Sequence, residues 1–157
     1  MRKTVLHQEP SRHSETKQAW LDLQQLADVE VTSEAESSPV EAVFNAEAGD
    51  GWRASEPGTQ TIRLNFAEPQ QIRRIHLEFT ESSIERTQEF ALHCRTQGEG
   101  ADREILRQRW TFSPRGSTTE IENYRVKLDN VRSLQLTIDP DLGTKGSVAT
   151  LRRWLVA

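Results

Sequence analysis

Gln60-Thr61-Ile62-Arg63-Leu64-Asn65-Phe66-Ala67-Glu68-Pro69-Gln70-Gln71-Ile72-Arg73-Arg74-Ile75-His76-Leu77-Glu78-Phe79 alternates apolar and polar residues twice, on either side of a proline. Ile62, Leu64 and Phe66 alternate with Arg63 and Asn65. Ile75, Leu77 and Phe79 alternate with Arg74, His76 and Glu78. Successive side chains of a strand point to opposite faces, so a period of two builds a sheet with one buried and one wetted face. The stretch predicts two antiparallel strands, near 60–66 and 71–80, with a turn at Glu68-Pro69. The class that follows is all-β: an antiparallel sandwich, a scaffold that works mostly through its loops.

The same reading extends outward in both directions. Strands are expected at 28–32, 40–45, 87–96, 103–112, 118–128, 134–138 and 148–156, separated by polar or Gly/Pro-containing loops. Strands at such short spacing, with no long helices between them, describe a jelly-roll β-sandwich of eight or nine antiparallel strands. Residues 1–13 lack periodicity and read as a tail. Ser14 is placed to cap a short N-terminal helix over 14–27, with Trp20, Leu23 and Leu26 about one turn apart. That helix either covers an open end of the sandwich or docks a partner. The expected division is thus a tail and helix over 1–27 and one sandwich domain over 28–157, without an internal repeat.

A chain of 157 residues, 34% hydrophobic and 28% charged, has the size and surface of one such domain. No apolar run approaches the ~20 residues of a membrane span, and residues 1–9 turn polar too soon for a secretory signal. The expectation is a cytoplasmic protein. Cys94 is the only cysteine, which excludes an intrachain disulfide and a Cys-rich zinc site. It runs in phase with Phe90 and Leu92, as a buried small hydrophobe does. The net charge of −4 is uneven, with four basic and ten acidic groups in residues 1–50. Beyond residue 50 most basic groups are arginines scattered among acids along strands, which is no phosphate-tracking stripe, so nucleic acid is not an expected partner. No Gly-x-Ser-x-Gly elbow, His-Glu-x-x-His or phosphate loop occurs, and the carboxylates are dispersed, so the chain reads as a non-enzyme.

Trp52-Arg53-Ala54, the run from Pro57 to Phe66, and the run from Glu68 to Leu77 together resemble the discoidin (coagulation-factor C-type) domain. There a Trp-containing loop precedes Gln-x-Ile-x-Leu-x-Phe/Leu and x-Pro-x-x-Ile-x-x-Ile. Glu89-Phe90-Ala91-Leu92, Ser133-Leu134-Gln135-Leu136-Thr137-Ile138 and Ala149-Thr150-Leu151-Arg152-Arg153-Trp154 resemble its later strands. The resemblance covers roughly 28–157 and rests mainly on core positions. It implies a galactose-binding-like jelly roll, used by carbohydrate-binding modules, lectins, membrane-lipid binders and protein-interaction modules, none an enzyme in its own right. Many sugar-binding relatives hold a structural calcium with an Asp in the early Gly-rich loop and a Glu in the last strand. Asp50 matches the first, but Arg152 and Arg153 stand where the Glu belongs.

The ligand expected on this reading is a carbohydrate or similar polyol, with a protein partner as the alternative. Trp52 is a candidate to stack on a sugar ring, with Asp50 and Arg53 beside it to bond hydroxyls, unless it plugs the sandwich end as core. Loops at 82–86, 113–117 and 140–146 are expected to bring Arg86, Arg115 and Lys145 near Trp52. Convergent cations suit carboxylate or phosphate groups; solvated loop charges are the plainer account. Asp139 and Asp141 offer oxygens to calcium or simply shape a turn. His76, Glu78 and His93 are placed on one outward face, where they would either hold zinc or decorate the surface.

Overall fold

The computed structural model describes residues 20–47, 49–144 and 146–157. One helical turn, α1 (Leu23–Leu26), leads into β1 (Ala27–Val31). A 3-10 turn (Val40–Phe44) precedes β2 (Trp52–Pro57), β3 (Gln60–Thr80) and β4 (Arg86–Thr96). Then come β5 (Arg103–Phe112), β6 (Thr119–Asp139), β7 (Val148–Leu151) and β8 (Arg153–Val156). The larger sheet has the order β1-β3-β6-β4-β5, with β8 also paired to β3, and β2 pairs β7 in a separate ladder. Every pairing is antiparallel.

The expected strand pairs 60–66/71–80 and 118–128/134–138 are each one continuous strand, β3 and β6. These two make the sandwich by doubling back together. A straight strand from Gln60 to Phe79 would run about 60 Å. Yet Phe79 stacks on Phe90 with ring centroids 5.2 Å apart, and Phe90 is joined through Ile138 to Gln60 in the ladder. The corner lies where the β3–β6 register slips between Asn65 and Arg74. Pro69 sits in the ladder gap between Asn65 and Gln70, so its missing N–H interrupts no bond. Asn130, on the partner strand, takes φ 55 at the same bend, a conformation asparagine tolerates better than most residues.

One layer therefore holds β1, β4, β5, the first half of β3 and the second half of β6. The other holds β8 with the remaining halves. Ile62, Leu64 and Phe66 face Ile75, Leu77 and Phe79 across a core completed by Phe90, Leu92, Leu134, Leu136 and Trp154, all buried. Cys94 is buried among them, and burial pushes its thiol upward.

Three local expectations change. The strand expected at 40–45 is the 3-10 turn, because Val40 and Val43 bury with a spacing of three. Residues 148–156 split at Arg152, where the backbone N–H turns aside to Glu78 O at 2.8 Å and the chain passes from β2's ladder to β3's. Of the helix expected over 14–27, residues 20–22 are not helical and Ala27 is already strand, while Ser14 lies outside the described residues. Leu21 N–H donates to Val156 O at 2.7 Å, which holds this segment against the end of β8.

Candidate functional site

Because β3 and β6 double back, both ends of each strand reach the same end of the sandwich, and the loops there lie side by side. Glu81 N–H donates to Thr118 O, Leu142 N–H to Thr87 O, and Gly58 N–H to Ser147 O. Between them lies a cleft of about 270 Å³ lined by Arg53, Glu81, Ser83, Ile84, Arg86 and residues 146–148. Its neighbour, about 450 Å³, lies between residues 57–59 and 139–144.

Arg86 forms the rigid part of this site. It is 2% exposed and lies over the Phe112 ring at 4.8 Å. Its Nε donates to Glu81 Oε1 at 2.7 Å, and its Nη1 to Pro140 O at 2.7 Å and Gln88 Oε1 at 3.3 Å. Nη2 is buried with no protein partner among the described residues. Burial draws the Glu81 carboxyl upward, but hydrogen bonds from Arg86 and from the Ser83 and Ile84 amides outweigh it, so Glu81 titrates below its ordinary range. Beneath them Gln88 Nε2 donates to Glu120 Oε1 at 2.8 Å. Glu120 is fully buried; desolvation first, then Glu122 beside it, push its carboxyl up to about 8. At the rim the Arg53 side chain is exposed, and Ile84 is 46% exposed.

The loops around 57–59, 81–86 and 140–148 meet here, and the 113–117 loop does not line the cleft. Trp52 is 1% exposed, its indole N–H donates to Ser33 O at 2.9 Å, and it belongs to the core. It cannot stack on a ligand. The core alternative is thus the one realised; the strand that carries Trp52 is not legible, because Trp52 and Ala54 alternate with Arg53 and Ser55 over too few residues, one of them only a methyl. Arg53 and Arg86 line the cleft, while Asp50 and Arg115 are exposed and stand outside its lining. Lys145 lies outside the described residues.

A calcium ion does not suit the residues around Asp50. Arg152 Nε donates to Gly49 O at 3.3 Å and Arg153 Nη2 to Glu47 O at 2.7 Å, so guanidinium groups hold the carbonyl oxygens a cation would use. Asp139 and Asp141 shape a turn: Asp139 Oδ1 accepts from Asp141 N–H and Asp141 Oδ1 from Gly143 N–H. His76 and His93 lie in different layers, one beside Asn123 and Leu155, the other beside Gln135 and Glu104. His76 Nε2 meets Glu78 Oε2 at 2.6 Å, and Arg153 Nη1 holds the same oxygen at 3.0 Å. Trp20, expected on the apolar face of the N-terminal helix, and Phe44 are half-buried and line a separate cleft of about 320 Å³ with Asp22, Gln24 and Asn45.

No protein-family model and no curated protein matches this sequence. Solved structures do. The family 32 carbohydrate-binding module of C. perfringens NanJ, in complex with galactose, is 12% identical with a TM-score of 0.65, over 87% of this chain and 96% of that one. The family 32 module of AlyQ, in complex with 4,5-unsaturated mannuronic acid, is 13% identical with a TM-score of 0.62, over 88% and 97%. Reduced XRCC1 bound to the DNA polymerase β catalytic domain is 16% identical with a TM-score of 0.57, over 84% and 95%. At such identities the likeness is one of fold, and the fold is the discoidin, galactose-binding-like β-sandwich.

Proposed function

We propose that this chain is a non-catalytic carbohydrate-binding module whose site is the loop-end cleft between Arg53, Ser83, Ile84 and Ser147. The observation that carries this reading is Arg86: a buried guanidinium that lines the cleft and keeps one Nη2 without a protein acceptor. A buried donor left unpaired is costly, and a ligand hydroxyl or carboxylate oxygen that parts the cleft floor to reach it would complete it. Arg53 and the two serine hydroxyls add donors at the rim, and Ile84 offers an apolar surface to the C–H face of a sugar ring. Several structural neighbours are carbohydrate-binding modules, which supports the same ligand class.

The test is a 15N–1H NMR titration against neutral and acidic monosaccharides. Saturable shifts are expected at the amides of Arg53, Ser83, Ile84 and Ser147, and Arg53→Ala should weaken binding about tenfold with the rest of the spectrum unchanged. Shifts centred on the Trp20 indole instead would move the site to the Trp20–Phe44 cleft. Well-dispersed spectra that respond to no sugar would reject the proposal.

A protein-interaction role is the second reading. It is favoured by the absence, among the described residues, of an exposed aromatic ring at the loop end. Isolation of a stoichiometric protein complex, with no sugar response, would decide for it.

A further inference from the structure

Another cleft lies away from the loop end, where the β4–β5 hairpin overhangs the outer face of the sheet near the corner. It encloses about 460 Å³. Asn65, Ser133 and Arg95 stand directly opposite one another on adjacent strands, so their side chains share the outward face that forms its floor. Arg132, beside the bend, closes one wall, and residues 97–99 of the hairpin close the other.

The arginines there divide into two kinds. Arg63 is fully used. Its Nε donates to Asn65 Oδ1, Nη1 to Asp102 Oδ2 at 2.8 Å and Gln135 Oε1 at 2.9 Å, and Nη2 to Asp102 Oδ1 at 3.2 Å and Ser133 Oγ at 2.7 Å. All five N–H groups are spent inside the protein, so Arg63 serves as a fixed positive strut. Arg95 and Arg132 are not spent. Arg95 gives only its Nε to Asp102, at 3.0 Å, and Arg132 gives one Nη1 bond to Ala67 O at 3.2 Å. The remaining donors of both have no protein acceptor among the described residues. Asp102 is shared by Arg63 and Arg95, and Arg132 has no carboxylate partner among those residues.

Two acids stand nearby. Glu99 accepts from the Thr96 hydroxyl and lies 3.9 Å from Arg103, and Glu30 accepts from the Asn65 amide at 2.7 Å. Three guanidinium groups, those of Arg63, Arg95 and Arg132, line the opening beside Glu99, and of these three the unspent donors belong to Arg95 and Arg132. A guanidinium fork matches the paired oxygens of a carboxylate, sulfate or phosphate, and it stays charged at any working pH. The cleft is polar and open, which suits a small anionic group and not an apolar ligand.

We propose that this cleft is an oxyanion site in which Arg95 and Arg132 together grip one carboxylate, sulfate or phosphate group, independently of the loop-end cleft. The test follows the side-chain Nε–H signals of Arg95 and Arg132 and the amides of residues 96–99. Sodium galacturonate, sulfate and phosphate are titrated at fixed ionic strength, with galactose and sodium chloride as controls.

A saturable shift with at least one oxyanion, and none with either control, is expected. Galacturonate alone would assign a planar carboxylate as the ligand; sulfate or phosphate alone would assign a tetrahedral group. Arg95→Gln and Arg132→Gln should each weaken binding about tenfold. Glu99→Gln should tighten it, because a like charge is removed from beside the ligand. Arg53→Ala should leave this site unchanged even if it abolishes sugar binding at the loop end. The proposal is overturned if no oxyanion gives a saturable shift, if chloride reproduces the shift, or if Arg132→Gln binds as tightly as the parent protein.

Discussion

Trp52 and Arg53 are neighbours in sequence and opposites in role, because alternate strand residues face opposite sides. The indole is core, so Trp52→Ala should destabilise the fold by about 3–5 kcal/mol in urea unfolding. Any loss of ligand in that variant would then report unfolding. Arg53 is exposed and can be removed cleanly, which makes it the informative probe. Arg86 is different again: removing it strands Glu81 and the Pro140 carbonyl beside an apolar Phe112 ring. Arg86→Met should cost about 3 kcal/mol by the same measurement. Two glycines make a matched pair. Gly51 has φ +79, and an added Cβ would lie 2.2 Å from Leu151 O; Gly58 has φ +92 but open space around it. Gly58→Ala should cost only the left-handed backbone penalty, about 1 kcal/mol, and Gly51→Ala distinctly more.

At the level of elements, the fold rests on two long strands sharing one corner. β3 and β6 run side by side through both layers, whereas β1 and β5 are edges with one partner each. Native-state hydrogen exchange should therefore be slowest at the centres of β3 and β6, where opening requires both layers to part. Exchange should be fastest along β1 and β5. Comparable protection in β5 and the centre of β6 would show that the layers do not hinge on that corner. The outward face of β5 carries Glu104, Arg107 and Arg109. Arg107 and Arg109 both reach Glu89 on β4, at 2.5 and 2.6 Å. Such charges keep an exposed edge from pairing with another chain.

For the whole molecule, two sets of carboxyl groups oppose each other in pH. Asp102, held by Arg63, and Glu81, held by Arg86 against its burial, titrate below their ordinary values. Their stabilisation is present above the unfolded-state values and is lost as pH falls through the folded ones. Glu120 works the other way. It faces Glu122, Gln88 and Arg86, and its folded carboxyl is raised to about 8 from 4.5. Its proton stabilises the fold fully below the unfolded value, and that contribution disappears as pH rises through 8. The unfolding free energy from urea titrations should therefore drop between pH 6 and pH 9, by on the order of 2 kcal/mol, and Glu120→Gln should flatten that limb. An unchanged slope in the variant would place the titration elsewhere. The period of two in residues 60–79 determined, without any coordinates, that this is a β-sandwich and that Ile62, Leu64, Phe66, Ile75, Leu77 and Phe79 enter its core. Burial alternates locally along a strand, so that information is written within a few residues. Where β3 and β6 fold back could not be read there, since Glu68-Pro69 looks the same in a hairpin turn and in a bulged corner. Nor could the sites: Arg86 meets Pro140, and Arg63 meets Asp102 and Ser133, across long stretches of chain. Whether an arginine is spent inside the protein or left to a ligand depends on those distant partners, and only the tertiary structure supplies them.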